Sequence, residues 1–250
     1  MKIIIKSVKY LFIFLLSIVF LLLLAFFVLY LIYNKAKPTL IGGDAALGKK
    51  VELYDAVHKT AWDSTNYVQW TFNNDNQYLW DLKNHLFALR NTDKTIVMNP
   101  STRLAFTIEN NNSRPATEKE KDNAYTRFTN DAFWLNGYMQ LENRDILLET
   151  TENEQKDLMV TYLSGGVTPG DAYWWHLDAT GLPESCSMWL KMFPIGGMTV
   201  TFQDWEETST GLKYAQNHYL GSFNLVRIKA QSFQLLKNSD FDASVFESLM

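Results

Sequence analysis

From Leu11 to Ile32 the chain is an unbroken apolar run, LFIFLLSIVFLLLLAFFVLYLI, with only Ser17 as a polar interruption. At 1.5 Å per residue these 22 positions predict a helix about 33 Å long, enough for a hydrocarbon core of about 30 Å. A secretory signal peptide is the alternative, but its apolar region spans only about 7–15 residues and ends at small residues. Here the run ends in Tyr30, Leu31, Ile32 and Tyr33 with no A-x-A pattern, which reads as a retained membrane anchor. Pro38 and the pair Gly42-Gly43 then block a continuation of the helix. Asp44 opens an amphipathic helix to about Trp62, with Leu47, Val51, Tyr54, Val57 and Ala61 as its apolar face.

From Asn66 the period changes to two. Short alternating runs, beginning with YVQWTF (67–72), predict strands up to residue 109 and again from 146 to 234, with turns such as NNDN (73–76) and STG (209–211). Between the two sets, Thr117 and Glu120 have the spacing of a capping box, predicting a helix to about Leu135 that carries Phe128, Phe133 and Trp134 near its end. Residues 239–250 hold a weak apolar stripe and predict a short helix. The pattern gives an α+β architecture: an N-terminal transmembrane helix, then a curled antiparallel sheet, a half-barrel of about ten or eleven strands covered by helices. The expected organisation is a cytoplasmic tail (1–10), the anchor (11–33), a linker (34–43), one extracytoplasmic domain (44–238) and a C-terminal tail (239–250).

Charge sets the expected orientation. Lys2, Lys6, Lys9 and the amino terminus precede the apolar run, against Lys35 and Lys37 just after it, which favours an inside N-terminus and a main domain outside the cytoplasm. Seven lysines and one aspartate give residues 1–50 a charge of +6, so the whole-chain value of −4 leaves −10 on residues 51–250. So acidic a domain lacks the electrostatic footprint of a nucleic-acid binder. Cys186 is the only cysteine, which excludes an internal disulfide and fits a bacterial periplasm better than a eukaryotic secretory pathway. The expected location is therefore the bacterial inner membrane, single-pass, with the domain on the periplasmic side. His58, His85, His176 and His218 are scattered, without HExxH or CxxC spacing, so neither a metal nor a cofactor is expected.

Eight tryptophans make a heavy aromatic load, and adjacent Trp174 and Trp175 must point to opposite faces of their strand. At least one of them is expected beneath a helix, beside Phe133 or Trp134. The loop SGGVTPGD (164–171) matches no phosphate-binding motif, and its glycines suit a wide turn. Asp131, Asp145, Asp171, His176 and Asp178 are the groups a hydrolase would recruit, but no serine lies in a G-x-S-x-G frame, so no catalytic residue is assigned and no enzyme is expected. An apolar ligand would instead be lined from one parity of neighbouring strands: Met188, Leu190 and Met192, then Val200 and Phe202, with Phe133, Trp134 and Trp174.

Two stretches, FTNDAFWLNGYMQL (128–141) and LSGGVTPGDAYWWHLDATGLPESCSMWLKMFPIGGMTVTFQDW (163–205), resemble an uncharacterised family of bacterial membrane-anchored envelope proteins through their GVTPGD and MW–PIGG segments. The order strand–DATGLPES–strand–TFQDW is also similar to the LolA/LolB-like lipoprotein-carrier superfamily. That resemblance implies a half-barrel closed by helices around an apolar cavity for acyl chains. The functional expectation is a membrane-tethered, extracytoplasmic binding module for a lipid or other apolar ligand. The alternative is a structural or partner-binding envelope protein with a dry aromatic core.

Overall fold

The computed structural model describes residues 2–91, 94–110, 112–142, 145–151, 157–164, 168–242 and 244–249, with the backbone alone for residues 2–8. The apolar run forms α1 (Lys2–Tyr33), and no residue from Lys9 to Tyr33 is buried. By length and composition this helix can cross a membrane. A two-residue strand, β1 (Leu40–Ile41), precedes α2 (Asp44–Ala56) and α3 (Lys59–Ser64). The single helix expected up to Trp62 is therefore two. His58 between them has φ 55, and its ring Nδ1 lies 3.1 Å from the Gly211 carbonyl oxygen, a distant contact that local propensity does not anticipate. The buried stripe also differs from the expected one. Ala46, Leu53 and Val57 are buried because α2 packs on the sheet through them, whereas Leu47 and Val51 are about half exposed.

The first strand set is β2 (Tyr67–Phe72), β3 (Asn76–Asp81), β4 (Leu86–Asn91), β5 (Lys94–Met98), β6 (Ala105–Glu109) and β7 (Asn112–Pro115). After α4 (Glu118–Asn136) come β8 (Ile146–Thr151), β9 (Leu158–Tyr162), β10 (Ala172–Leu177), β11 (Pro183–Trp189), β12 (Met198–Glu207), β13 (Lys213–Leu220) and β14 (Phe223–Phe233). All fourteen join one open antiparallel sheet in the order β1-β8-β9-β10-β11-β12-β13-β14-β2-β3-β4-β5-β6-β7. Fourteen exceeds the ten or eleven expected. The two edges, Leu-Ile and Asn-Ser-Arg-Pro, are too short or too polar to show an alternation.

Ring contacts show how far the sheet bends. Phe87 on β4 and Trp175 on β10 are seven strand spacings apart, which on a flat sheet is roughly 34 Å. Yet Phe87 stacks on Phe128 at 4.0 Å between centroids, and Trp175 lies 5.9 Å from Phe133. Both partners sit on α4, five residues or roughly 7.5 Å of helical rise apart. The sheet therefore wraps around α4, and the main core fills the space between them. A smaller core lies on the outer face. There Phe241, Val245 and Phe246 of the C-terminal segment pack on Leu79, Leu86, Ala88 and Val97 of β3, β4 and β5.

Candidate functional site

The helix that fills the sheet is fixed at its N-terminus by chemistry visible in the sequence. Thr117 Oγ1 accepts from the Glu120 N–H, and the Thr117 N–H donates back to Glu120 Oε2 at 2.9 Å. Glu120 also accepts two hydrogen bonds from the Arg114 guanidinium and one from Lys94, which ties the helix start to β7 and β5. These donors hold its carboxyl well below the usual range. From there α4 presents Tyr125, Phe128, Thr129, Ala132 and Phe133 along one side, at the three- and four-residue steps of a helix face.

A cleft of about 500 Å³ runs along that side. Its apolar wall consists of Trp80, Tyr125, Phe128, Phe133, Tyr162 and Tyr173. Gln140, Glu142, Ser164, Thr168 and Asp171 supply polar groups. Burial pushes the Tyr162 and Tyr173 phenols far up, and Asp171 adds to the push on Tyr173, so both stay neutral. Lys50 holds the Glu142 carboxyl below its ordinary value, from 3.0 Å. Asp171 is almost fully buried and accepts from the Lys191 N–H at 2.8 Å and from the Thr168 hydroxyl. The cleft thus has an uncharged aromatic wall and a few anionic groups, within the roughly 300–1,000 Å³ of small-molecule sites.

Of the eight ligand residues expected from the sequence, Phe133 alone lines this cleft. Met188, Val200 and Phe202 are buried together in the main core, with Trp134 and Leu190 packed against it. Phe202 lies 5.7 Å from Trp175 and 6.5 Å from Tyr138, so the chain's own rings occupy the space over those strands. Trp174 points to the opposite sheet face, 4.6 Å from His176 and 6.4 Å from Trp189. Met192 is 75 % exposed, beyond the end of β11. Leu190 and Met192, expected on the same strand as Met188, fall beyond it: β11 stops at Trp189 because the following turn bonds to the chain at residues 34–35. The rings that the sequence reading missed as lining, Tyr125 and Phe128 among them, were available in the helical spacing of α4. Tyr173 was available in its shared parity with Trp175.

The acids and imidazole considered for hydrolysis do not converge. Asp131 on α4 accepts from the Tyr78 hydroxyl at 2.5 Å, and burial pushes its carboxyl up. Asp145 is bonded by Ser164, and Asp178 accepts from backbone N–H groups of its own turn. His176 has a more suggestive setting: its Nδ1 is 2.8 Å from Asp157 and its Nε2 2.9 Å from Ser187 Oγ. Ser187, however, is paired on both sides within the sheet, is nearly buried, and shares its hydroxyl with Thr199 at 2.8 Å. These residues form a polar peg that runs from Asp157, just before β9, across β10, β11 and β12. Cys186 is buried, which pushes its thiol well up. Residues 165–167 of the SGGVTPGD loop lie outside the described residues. Among the described residues, no group of three or more His, Cys, Asp or Glu could hold a metal ion.

No protein-family model matches the chain, and no curated protein sequence does. Among solved structures it is similar to a LolA superfamily protein from Nitrosomonas europaea, at 11 % identity and a TM-score of 0.37, covering 72 % of this chain and 91 % of that one. It is also similar to a DUF1329 family protein from Desulfovibrio piger, at 10 % identity and a TM-score of 0.35, covering 83 % of this chain and 100 % of the other.

Proposed function

We propose that the chain is a membrane-tethered binding module, a half-barrel that holds a lipid or acyl chain in the aromatic cleft beside α4. The observation that carries this reading is the cleft itself, about 500 Å³ against a wall of six neutral aromatic rings. An extended hydrocarbon can lie against such a wall, with the polar part of the lining, Glu142 and Asp171 included, left to a polar head group. The apolar α1 is the tether, with the domain on the periplasmic side of a bacterial inner membrane. Tyr162 and Tyr173 stand near the sheet end from which α1 departs, so that part of the cleft lies on the side of the bilayer. The ligand site moves with this reading: Phe133 stays in it, whereas Met188, Val200 and Phe202 support it from beneath.

A second reading, a structural envelope protein with a dry aromatic core, draws on how completely Phe133, Trp134 and Tyr138 fill the sheet between β10 and β13. Thr129→Trp separates the two, with Met188→Ala as the core control. Thr129→Trp places a large ring in the cleft from a partly exposed helix position and is expected to reduce binding of a fluorescent fatty acid while leaving the melting temperature near that of wild type. Met188→Ala is expected to cost about 2–5 kcal/mol of stability as a core truncation. A purified full-length protein that carries no lipid in native mass spectrometry and binds no fatty acid would sink the carrier reading in favour of the structural one.

A further inference from the structure

Met192, Phe223 and Leu163, at 75 %, 66 % and 59 % exposure, are the most exposed large apolar side chains outside α1 among the described residues. Strand register puts all three at one end of the sheet. Ala172 pairs with both Thr161 and Trp189, Met188 with Met198, and Leu220 with both Val200 and Phe223. The described ends of the β9–β10 connection, Leu163 among them, and the β11–β12 and β13–β14 connections therefore lie side by side as three tips, spread over roughly 24 Å at the usual strand spacing.

The chain leaving α1 is clamped to the middle tip. Lys35 donates its N–H to the Gly196 carbonyl at 2.9 Å, Gly196 donates to Asn34 Oδ1 at 2.8 Å, and Trp189 Nε1 donates to the Lys35 carbonyl at 2.8 Å. The approach depends on glycine: a Cβ on Gly196 would stand 2.4 Å from the Trp189 ring, and one on Gly197, at φ 75, would stand 2.7 Å from Lys35 Cβ. This gives the PIGG segment a role. The Lys191 N–H bonded to Asp171 ties the first tip to the second. Asn34 directly follows Tyr33, the last residue of α1, so the domain is held against the end of the apolar helix with no linker to swing on.

We propose that these three tips are a second membrane contact, dipping their apolar side chains into the interface of the bilayer that α1 crosses and fixing the domain in one orientation. The inference rests on the reading of α1 as a membrane anchor. The bilayer is the occupant because the clamp sets Met192 and Phe193 within a loop's length of the helix exit. Lys35, Lys37 and Lys191 lie in or beside the clamped segments, suited to anionic head groups at the same level. A rigid apolar rim beside the anchor would also hold the Tyr162–Tyr173 part of the cleft at the bilayer surface.

The full chain carries the test, reconstituted in vesicles of phosphatidylethanolamine and phosphatidylglycerol with and without brominated lipid. Single cysteines for a fluorescent label go in at Met192→Cys, Phe223→Cys, Lys83→Cys at the opposite end of the sheet, and Leu22→Cys within α1. Cys186 is buried and does not compete for label. The expected result is loss of fluorescence in brominated vesicles for Leu22→Cys, Met192→Cys and Phe223→Cys, and none for Lys83→Cys. Quenching at Leu22→Cys without quenching at Met192→Cys or Phe223→Cys overturns the second contact and leaves the anchor standing. No quenching at Leu22→Cys overturns the anchor, and this inference with it. Equal quenching at Lys83→Cys overturns the fixed orientation.

Discussion

His218 is fully buried on β13, edge-on to Phe202 at 4.7 Å and to Trp134 at 5.5 Å. Burial pushes its pKa down to about 4, and backbone groups of Val226 and Trp134 offset only part of that. The unfolded chain takes up a proton near pH 6.5, whereas the folded one resists until about 4. Stability from this group is therefore complete above pH 6.5 and lost progressively as the pH falls towards 4, by about 3 kcal/mol at most. The raised Asp131 carboxyl works in the opposite sense, favouring the folded state under acid conditions, so a wild-type profile alone mixes the two. His218→Phe isolates the histidine: chemical denaturation at pH 7 and pH 5 should show wild type losing stability on acidification and the variant losing clearly less. Equal losses in both would remove His218 as the cause. The sequence shows a histidine on a strand but not its cost, because the rings around it come from α4 and β12.

At the scale of elements, legibility followed the range of the interaction that decides each one. α1 and α4 were readable because their determinants are local: an uninterrupted apolar run, and a Thr117–Glu120 pair whose reciprocal bonds form as the spacing implies. Thr117→Ala should accordingly lower stability by about 1 kcal/mol in thermal or urea unfolding, as loss of an N-cap does. No change at all would mean that Arg114 and Lys94 hold the helix start through Glu120 without the cap. The long strands were equally visible from their alternation. Three things were not. The break at His58 depends on a bond to Gly211, more than 150 residues away in sequence. The end of β11 at Trp189 depends on the clamp to residues 34–35. The outer packing of Phe241, Val245 and Phe246 depends on β3 to β5 leaving Leu79, Ala88 and Val97 uncovered on that face. The placement of Met188, Val200 and Phe202 in the main core was hidden for the same reason: parity on β11 and β12 identifies an inward face but not that α4 already fills it.

For the whole molecule, the proposed anchoring through α1 requires the sheet to stand on one side of the membrane. Lys2, Lys6 and Lys9 with the amino terminus outnumber Lys35 and Lys37 across α1, and in short flanking segments it is this cationic bias that orients a first helix. The difference is modest, and the clamp changes how it acts. Because Lys35 is bonded to Gly196 and Trp189, the cations beyond α1 belong to the folded domain surface and not to a free linker. The −10 carried by residues 51–250 contributes little to orientation, since acidic residues far from the span hardly bias insertion. The five lysines nearest the helix therefore decide, and they predict an inside amino terminus. A reporter active only in the cytoplasm, fused after Met250, should be silent, while the same reporter placed before Met1 should be active. The reverse pair of signals would put the sheet, its aromatic cleft and its apolar tips on the cytoplasmic leaflet. Changing Lys2, Lys6 and Lys9 together to Gln should erode an inside amino terminus, because it leaves only the cations after α1, whereas the same change would reinforce the reverse orientation.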